Sequence, residues 1–247
     1  MENGAQFCVK VDRQENLERA SRSLGLDVGL SSFYTDSEGN KVDNPRYLRK
    51  SEKAIKRLQR RVSKKFKKGF PQSNNYKKAK QKLGRKHLKV QRQRRDFAVK
   101  LARCVVTSTD VVAYEDLKVE NLVLNRSSAK SISDAAWSQF TSYLQYFGKV
   151  FGRIVIAVPA DYTSADCSVC GTRVRKSLSI RTHECPKCRT VLDRDQNAAV
   201  NILVKALRLA GIEITNTVGQ TEFQAWGDET AFISGESLSW KVLSKNQ

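Results

Sequence analysis

Almost all of the excess positive charge in this chain sits in one block, which divides the molecule into two parts with different demands. Between Arg46 and Arg103 there are 24 Lys and Arg against two acids, Glu52 and Asp96, whereas the rest of the chain holds 21 basic and 23 acidic residues. Within the block, Ile55, Leu58 and Val62, and then Leu83, Leu88, Phe97, Leu101 and Val105, recur at helical spacing. This predicts two helices over residues 51–107, joined around 69–75, where Gly, Pro, Ser and paired Asn cluster. A short run of charge is ordinarily a solvated helix face, but charges this dense repel one another unless a polyanion neutralises them. Nucleic acid, bound through counterion release, is the expected partner. An acidic protein partner suits the pattern less well, because charge spread along two helices matches a phosphate track better than a local patch.

The remaining residues must supply the core. A chain of 247 residues is expected to fold around one dominant α/β or α+β core with at most a small satellite. Hydrophobic residues at 40%, with only 13 Gly and 4 Pro, exclude collagen-like and disulfide-scaffold classes. The longest plain apolar run, residues 154–160, is far short of a membrane span, and the N-terminus has no signal-peptide core. The expectation is a soluble cytoplasmic protein, nucleoid-associated when bound to DNA, with no membrane partner. The pattern assigns no oligomeric state.

Residues 1–23 are polar without a clear period and read as a short arm. Residues 24–30 (LGLDVGL) read as a buried strand holding one acid, followed by residues 33–35, a DSEGN turn at 36–40 and a return strand from Lys41 to about Leu48, broken by Pro45. Residues 110–114 are a β-branched strand ending at Glu115. Residues 133–151 form one amphipathic helix with Trp137, Phe140, Leu144 and Phe147 on its apolar face, and residues 154–158 form the next strand. A helix runs from about Arg194 to Leu209 and stops at Gly211, and residues 212–247 read as an extended tail.

Four of the six cysteines, Cys167, Cys170, Cys185 and Cys188, form a C-x2-C-x14-C-x2-C array. Each pair presents two thiolates from one tight knuckle, and two knuckles complete the four-sulfur shell that Zn²⁺ prefers. Two disulfides are the alternative, disfavoured in an intracellular chain. A closed site of this kind, one zinc per chain, is structural rather than catalytic. Gly171 suits the first knuckle turn, while Arg189 stands at the equivalent place in the second. His183 is a competing ligand only if a sulfur is displaced. Cys8 and Cys104 read as ordinary thiols and His87 as solvated.

Three acids interrupt or end apolar elements: Asp27 in LGLDVGL, Glu115 after VVAY, and Asp195 at the start of DRDQNAAVNIL. A strand-centre Asp between Gly25 and Gly29 is hard to explain as structure, since glycine there permits close approach of another backbone or a ligand. Convergent carboxylates suit Mg²⁺, and two such ions activate a water and stabilise the leaving oxygen of a phosphodiester. The ordinary reading is that Glu115 and Asp116 begin a helix and that Asp193 or Asp195 caps the next one.

The order of these pieces resembles the RuvC-like nuclease half of TnpB (OrfB) proteins of IS200/IS605-type insertion sequences, relatives of the compact Cas12 effectors. The resemblance runs from about Leu24 to Leu209 and is carried by GLDVG at 25–29, AYEDL at 113–117, YTSADCSVCG at 162–171 and DRDQNAA at 193–199. It implies an α/β, RNase H-like (RuvC) fold: a mixed sheet with helices, a basic helical insertion and a small zinc-knuckle insert. It implies Mg²⁺-dependent, RNA-guided DNA cleavage, with Asp27, Glu115 and Asp195 as the catalytic acids and Cys167, Cys170, Cys185 and Cys188 as the zinc ligands of a target-nucleic-acid-binding insert. The expected division is an arm at 1–23, a remnant of the wedge region; a nuclease core at 24–160 with its basic insertion at 46–107; the zinc insert at 161–192; the last motif and helix at 193–210; and a tail at 211–247. Only 26 residues precede Asp27, where family members carry a wedge and a recognition module. A nucleic-acid-binding remnant without catalysis is the alternative function.

Overall fold

A computed structural model describes residues 11, 13–125, 128–177, 179–215 and 239–241. Its centre is a five-stranded mixed sheet in the order β3-β2-β1-β4-β5. Strand β1 (Ser23–Val28) pairs antiparallel with β2 (Ser32–Asp36), which pairs antiparallel with β3 (Lys41–Asp43). On its other side β1 runs parallel to β4 (Val111–Glu115), and β4 parallel to β5 (Ile154–Val158). The return strand is shorter than the sequence predicts: Pro45 ends it, and helix α1 (Tyr47–Lys65) takes over the residues beyond.

The sheet is covered on both faces, and strand alternation assigns each residue to one of them. Leu24, Leu26 and Val28 of β1 and Val112 and Tyr114 of β4 pack into a core built with α2 (Asn74–Thr107) and α5 (Trp137–Phe151). Val111 and Ala113 face the other way, onto Ile202, Leu203, Ala206 and Leu207 of α6 (Arg194–Leu209). Asp27 and Glu115 have the alternation of this second face. They therefore look toward α6 and away from the large apolar core.

The close approach anticipated at the strand glycines is made at Gly25. A Cβ there would lie 2.0 Å from the carbonyl oxygen of Ala199 and 2.9 Å from the amide nitrogen of Leu203. The α6 backbone thus rests directly on β1, closer than any side chain allows, and its N-terminus is drawn over the ends of β1 and β4.

Two sequence expectations are corrected on the opposite face. The single helix over 133–151 is two, α4 (Ala129–Ala135) and α5, broken at Ala136 with φ 56°. Both helices feed one core, α4 with Ile132 and Ala135 and α5 with Trp137, Phe140, Leu144 and Phe147, and the break turns Asp134 toward the basic hairpin. There Asp134 accepts from the amides of Leu48 (2.9 Å) and Arg49 (3.2 Å), capping α1 from another element, and pairs with Arg94 of α2 at 2.7 Å. α1 has no cap of its own, since Arg46 enters it with φ 48°. A short helix α3 (Val119–Val123) follows β4, as the Glu115–Asp116 helix-start reading allows, but it begins after both acids.

Between β5 and α6, residues 159–193 fold as two knuckles and a small hairpin of β6 (Thr182–Glu184) and β7 (Val191–Asp193). The expected tail includes a further pair, β8 (Glu213–Thr215) with β9 (Ser239–Lys241); the rest of it beyond Thr215, like residues 1–10 with Cys8, lies outside the described residues. The described part of the arm is irregular but tied down. Glu15 donates to the Val150 carbonyl at 2.7 Å, and the amides of Ala20 and Ser21 both donate to Asp110 at 2.9 Å.

Because a methyl group at Gly25 meets backbone, Gly25→Ala should cost about 3 kcal/mol, the upper range for overpacking a core. The measurement is the urea midpoint, and a midpoint equal to the parent's would disprove the backbone contact.

Candidate functional site

The register between β1 and β4 runs through Leu26 opposite Tyr114, which leaves Asp27 and Glu115 as the next residues at the C-terminal ends of adjacent parallel strands. Strand ends of this kind are where open α/β sheets place their sites. Helix α6, seated on Gly25, brings Asp195 in its first turn to the same edge. Asp27 is held well above the ordinary carboxylate range, first by burial, then by the charges of Glu115 and Asp195, with Arg194 opposing. Burial also raises Glu115, against the hydrogen bond from Thr163 and the charge of Lys205. The three predicted acids thus share one electrostatic neighbourhood.

Each of the outer two acids has a protein partner. The Thr163 hydroxyl donates to Glu115 Oε1. Arg181 Nη1 and Arg194 Nε each lie 3.6 Å from Asp195 Oδ1. Asp193, the neighbour not chosen from the sequence, is the helix cap: its Oδ1 accepts from the amides of Asp195 (2.9 Å) and Gln196 (3.3 Å), and its Oδ2 pairs with Lys41 at 2.7 Å. Burial pushes Asp193 up, but Lys41 and the two amides outweigh it and hold the carboxyl below its usual range. Cap and candidate ligand are therefore different residues, which leaves the Asp195 carboxylate outside the capping bonds.

The four cysteines converge. Among the described residues they are the one group of three or more His, Cys, Asp or Glu whose ligand atoms all lie within 4.8 Å of one another. Cys167 and Cys188 sulfurs are 3.6 Å apart, and Cys170 and Cys185 sulfurs 3.5 Å. Tetrahedral Zn–S bonds place sulfurs about 3.8 Å apart, so the shell fits one zinc ion. The knuckles repeat each other. Gly171 N donates to Cys167 O and Arg189 N to Cys185 O, both at 2.9 Å, while Cys167 N and Cys185 N donate at 3.0 Å to the carbonyls of Thr172 and Thr190. Gly171 has φ 68° and Arg189 φ 60°, so the second knuckle makes the same left-handed turn without glycine. Burial drives the Cys167 thiol up to about 12, whereas at Cys188 the Thr190 hydroxyl and amide overcome burial and bring it down to about 6. His183 is no ligand. It is fully buried, bonded through Nδ1 to Lys176, and lowered to about 4 by burial and then by the Lys176 charge.

The sequence reading missed the residues that join these two centres. Asn197, fully buried two residues after Asp195, accepts from Ser168 N at 2.9 Å and donates to Asp166 O at 2.8 Å, clasping the first knuckle on both sides of Cys167. One turn on, Asn201 donates to the carbonyls of Thr163 (2.7 Å) and Asp166 (2.8 Å). The loop so held carries the Thr163 hydroxyl that meets Glu115. The available signals were two Asn at i and i+4 on an amphipathic helix, and a Thr two residues after the second cysteine of each knuckle (CSVCGT, CPKCRT).

The comparisons with known proteins decide the family. The OrfB (IS605) family, described as "Probable transposase", matches residues 6–126, and the family described as "Cas12f1-like, TNB domain" matches residues 137–202. The chain belongs to the TnpB family. A "Putative RNA-guided DNA endonuclease" of Streptomyces pristinaespiralis is 38% identical over 187 residues, 75% of this chain and 45% of that protein. The "Putative RNA-guided DNA endonuclease InsQ" of Escherichia coli K12 is 32% identical over 196 residues, 73% of this chain and 48% of that one. This TnpB-family chain spans about half the length of the curated relatives it matches. A solved Cas12f1–sgRNA–target DNA complex is similar with a TM-score of 0.48 and 18% identity, over 73% of this chain and 49% of that one.

Two measurements follow from this geometry. Elemental analysis of the purified chain should find about one zinc per molecule, the capacity of one four-sulfur shell, and a zinc-free folded protein would remove the assignment. In metal-free protein, an acid raised as Asp27 is stabilises the fold below the ordinary carboxylate range, and that contribution is lost as pH rises through its elevated pKa. Asp27→Asn should therefore be more stable than the parent at neutral pH by about 1 kcal/mol, with the gap closing in acid. Thermal unfolding across pH checks the sign, and a gap that widens in acid would contradict it.

Proposed function

We propose that this chain is the nuclease half of a metal-dependent, RNA-guided DNA endonuclease encoded with an insertion sequence. The single observation that carries the reading is the placement of Asp27, which ends β1 beside Glu115 at the end of β4, with Asp195 in the first turn of the helix seated on Gly25. The Asp27 carboxyl is raised by burial and then by Glu115 from β4 and Asp195 from α6. A fold tolerates such mutual repulsion where a cation relieves it. The strand order, with β2 alone running against the other four and acids at the ends of β1 and β4, supports an RNase H-like, RuvC-type assignment.

In this reading Asp27, Glu115 and Asp195 hold two Mg²⁺ ions, which supply activation of a water and neutralisation of phosphate charge. The chain's own residues do the positioning. Thr163 holds one oxygen of Glu115, so the carboxylate presents the other to the site. Asp193 keeps α6 capped, so Asp195 takes no part in the capping bonds, and Arg181 and Arg194, each 3.6 Å from it, balance its charge at the same edge. Lys and Arg of α1 and α2 grip the nucleic-acid backbone without reading its sequence. The four-cysteine shell binds zinc as a structural staple, and Asn197 and Asn201 transmit its position to the acidic edge. The proposed division keeps an arm at 1–23, the nuclease core at 24–160 with its basic insertion at 46–107, the zinc insert at 161–192, the last motif and helix at 193–210, and a tail at 211–247. DNA as substrate implies action in the cytoplasm. No helix among the described residues is long and apolar enough to cross a membrane.

The test is cleavage of labelled single-stranded and duplex DNA by the purified chain, in Mg²⁺ or EDTA, with and without co-purified RNA. Cleavage should require Mg²⁺ and disappear in Asp27→Ala, a loss of at least about a thousandfold for a ligand of the reacting metals, while DNA binding persists. Undiminished cleavage by Asp27→Ala would remove the assignment. Salt-sensitive binding with no metal-dependent products would leave a nucleic-acid-binding remnant.

A further inference from the structure

The α1–α2 hairpin ends in a tip that the acidic site does not use. Its last buried residue on the way out is Ile55 and its first on the way back is Val90. The sixteen residues of α2 that precede Val90 reach roughly 24 Å at the helical rise. No Asp or Glu occurs between Glu52 and Asp96. The tip is built, not frayed: Gln72 donates to the carbonyls of Lys67 (2.7 Å) and Phe70 (3.0 Å) and accepts from Lys67 N at 3.3 Å, and Ser73 caps α2 by accepting from Tyr76 N at 3.2 Å.

This ordered loop presents aromatic rings to solvent. Phe66 is 55% exposed and Phe70 70%, and among the described residues they are the only exposed phenylalanines. Phe66 is backed by Tyr76, with ring centroids 6.0 Å apart, and Lys64, Lys65, Lys67, Lys68, Lys77 and Lys78 flank the rings in sequence. An apolar protein partner would have to desolvate these lysines, and a second copy would bring like charges together. A polynucleotide with unpaired bases satisfies both features, since its phosphates meet the ammonium groups and its base faces meet the rings. Paired bases offer no free faces except at an end.

We propose that the hairpin tip is a stacking platform for an unpaired stretch of nucleic acid, with Phe66 and Phe70 taking base faces and the surrounding lysines the phosphates. The proposal rests on the nucleic-acid reading above, but not on catalysis, so it is tested by binding alone. The full-length chain carrying Asp27→Ala, in EDTA, is titrated with fluorescein-labelled oligo-dT, oligo-U and a matched duplex, with and without Phe66→Ala/Phe70→Ala. Removing both rings should weaken single-strand binding roughly tenfold or more. Duplex affinity and the salt slope should not change, because no phosphate contact is lost. The thermal midpoint should also hold, since both rings are exposed, and Phe70→Trp should retain affinity with its fluorescence quenched on binding. The arm with the larger loss identifies DNA or RNA as the occupant. Equal losses on duplex and single strands, no loss at all, or a dimer that the double variant dissolves would each overturn the proposal. Cleavage by the chain with Asp27 intact is scored separately, so failure of the tip and failure of the nuclease reading are distinguishable.

Discussion

The backbone contact between Gly25 and α6 is the constraint on which the rest of the structure depends. Helix α6 has to supply both the floor of the second core, through Ile202, Leu203, Ala206 and Leu207, and an acid at the edge of the sheet. A side chain at residue 25 would lift the helix by the thickness of a methyl group or more. Asp195 would then move away from Asp27, and Asn197 and Asn201 would lose the loop they hold. Glycine is therefore required here for what approaches it and not for its own dihedral freedom.

The same helix makes the zinc-type centre and the acidic edge one mechanical unit. Asn197 is fully buried and uses both ends of its amide on the first knuckle, so the knuckle cannot shift without leaving buried polar groups unsatisfied. Asn201 and Thr163 carry that rigidity to Glu115. A closed four-sulfur shell has no open coordination position. Its influence on the acidic edge is through position, at the distance of a single loop.

Charge is segregated with equal economy. The hairpin keeps its uncompensated lysines and arginines out in solvent, tethered at its base by Asp134, which caps α1 and pairs with Arg94 of α2. Across the sheet, the acidic edge collects negative charge that burial makes costly. A basic projection and an acidic edge thus stand on one scaffold, which is the separation of charge that the proposed nuclease reading calls for.

Much of this was legible in the sequence. Strand alternation with a single acid, the helical spacing inside the basic block, the knuckle spacing of Cys167, Cys170, Cys185 and Cys188, and the motif order that points to the TnpB family all reside in local patterns, which period and spacing report directly. What the linear chain could not report is contact between segments distant along it. The split at Ala136 carries no glycine or proline to announce it: an alanine takes φ 56° there, and Asp134 just before it finds its partners on the basic hairpin. That the Asp193 cap also pairs with Lys41 joins residues 152 apart in the chain. The roles of Asp134, Asn197, Asn201 and Thr163 are equally invisible, since each is an ordinary polar residue until the fold gives it a buried partner. Residue types and their periods were determined by the sequence alone. Which segments come together, and what holds them there, was decided by tertiary packing, because burial and close approach are properties of pairs of segments and not of either one.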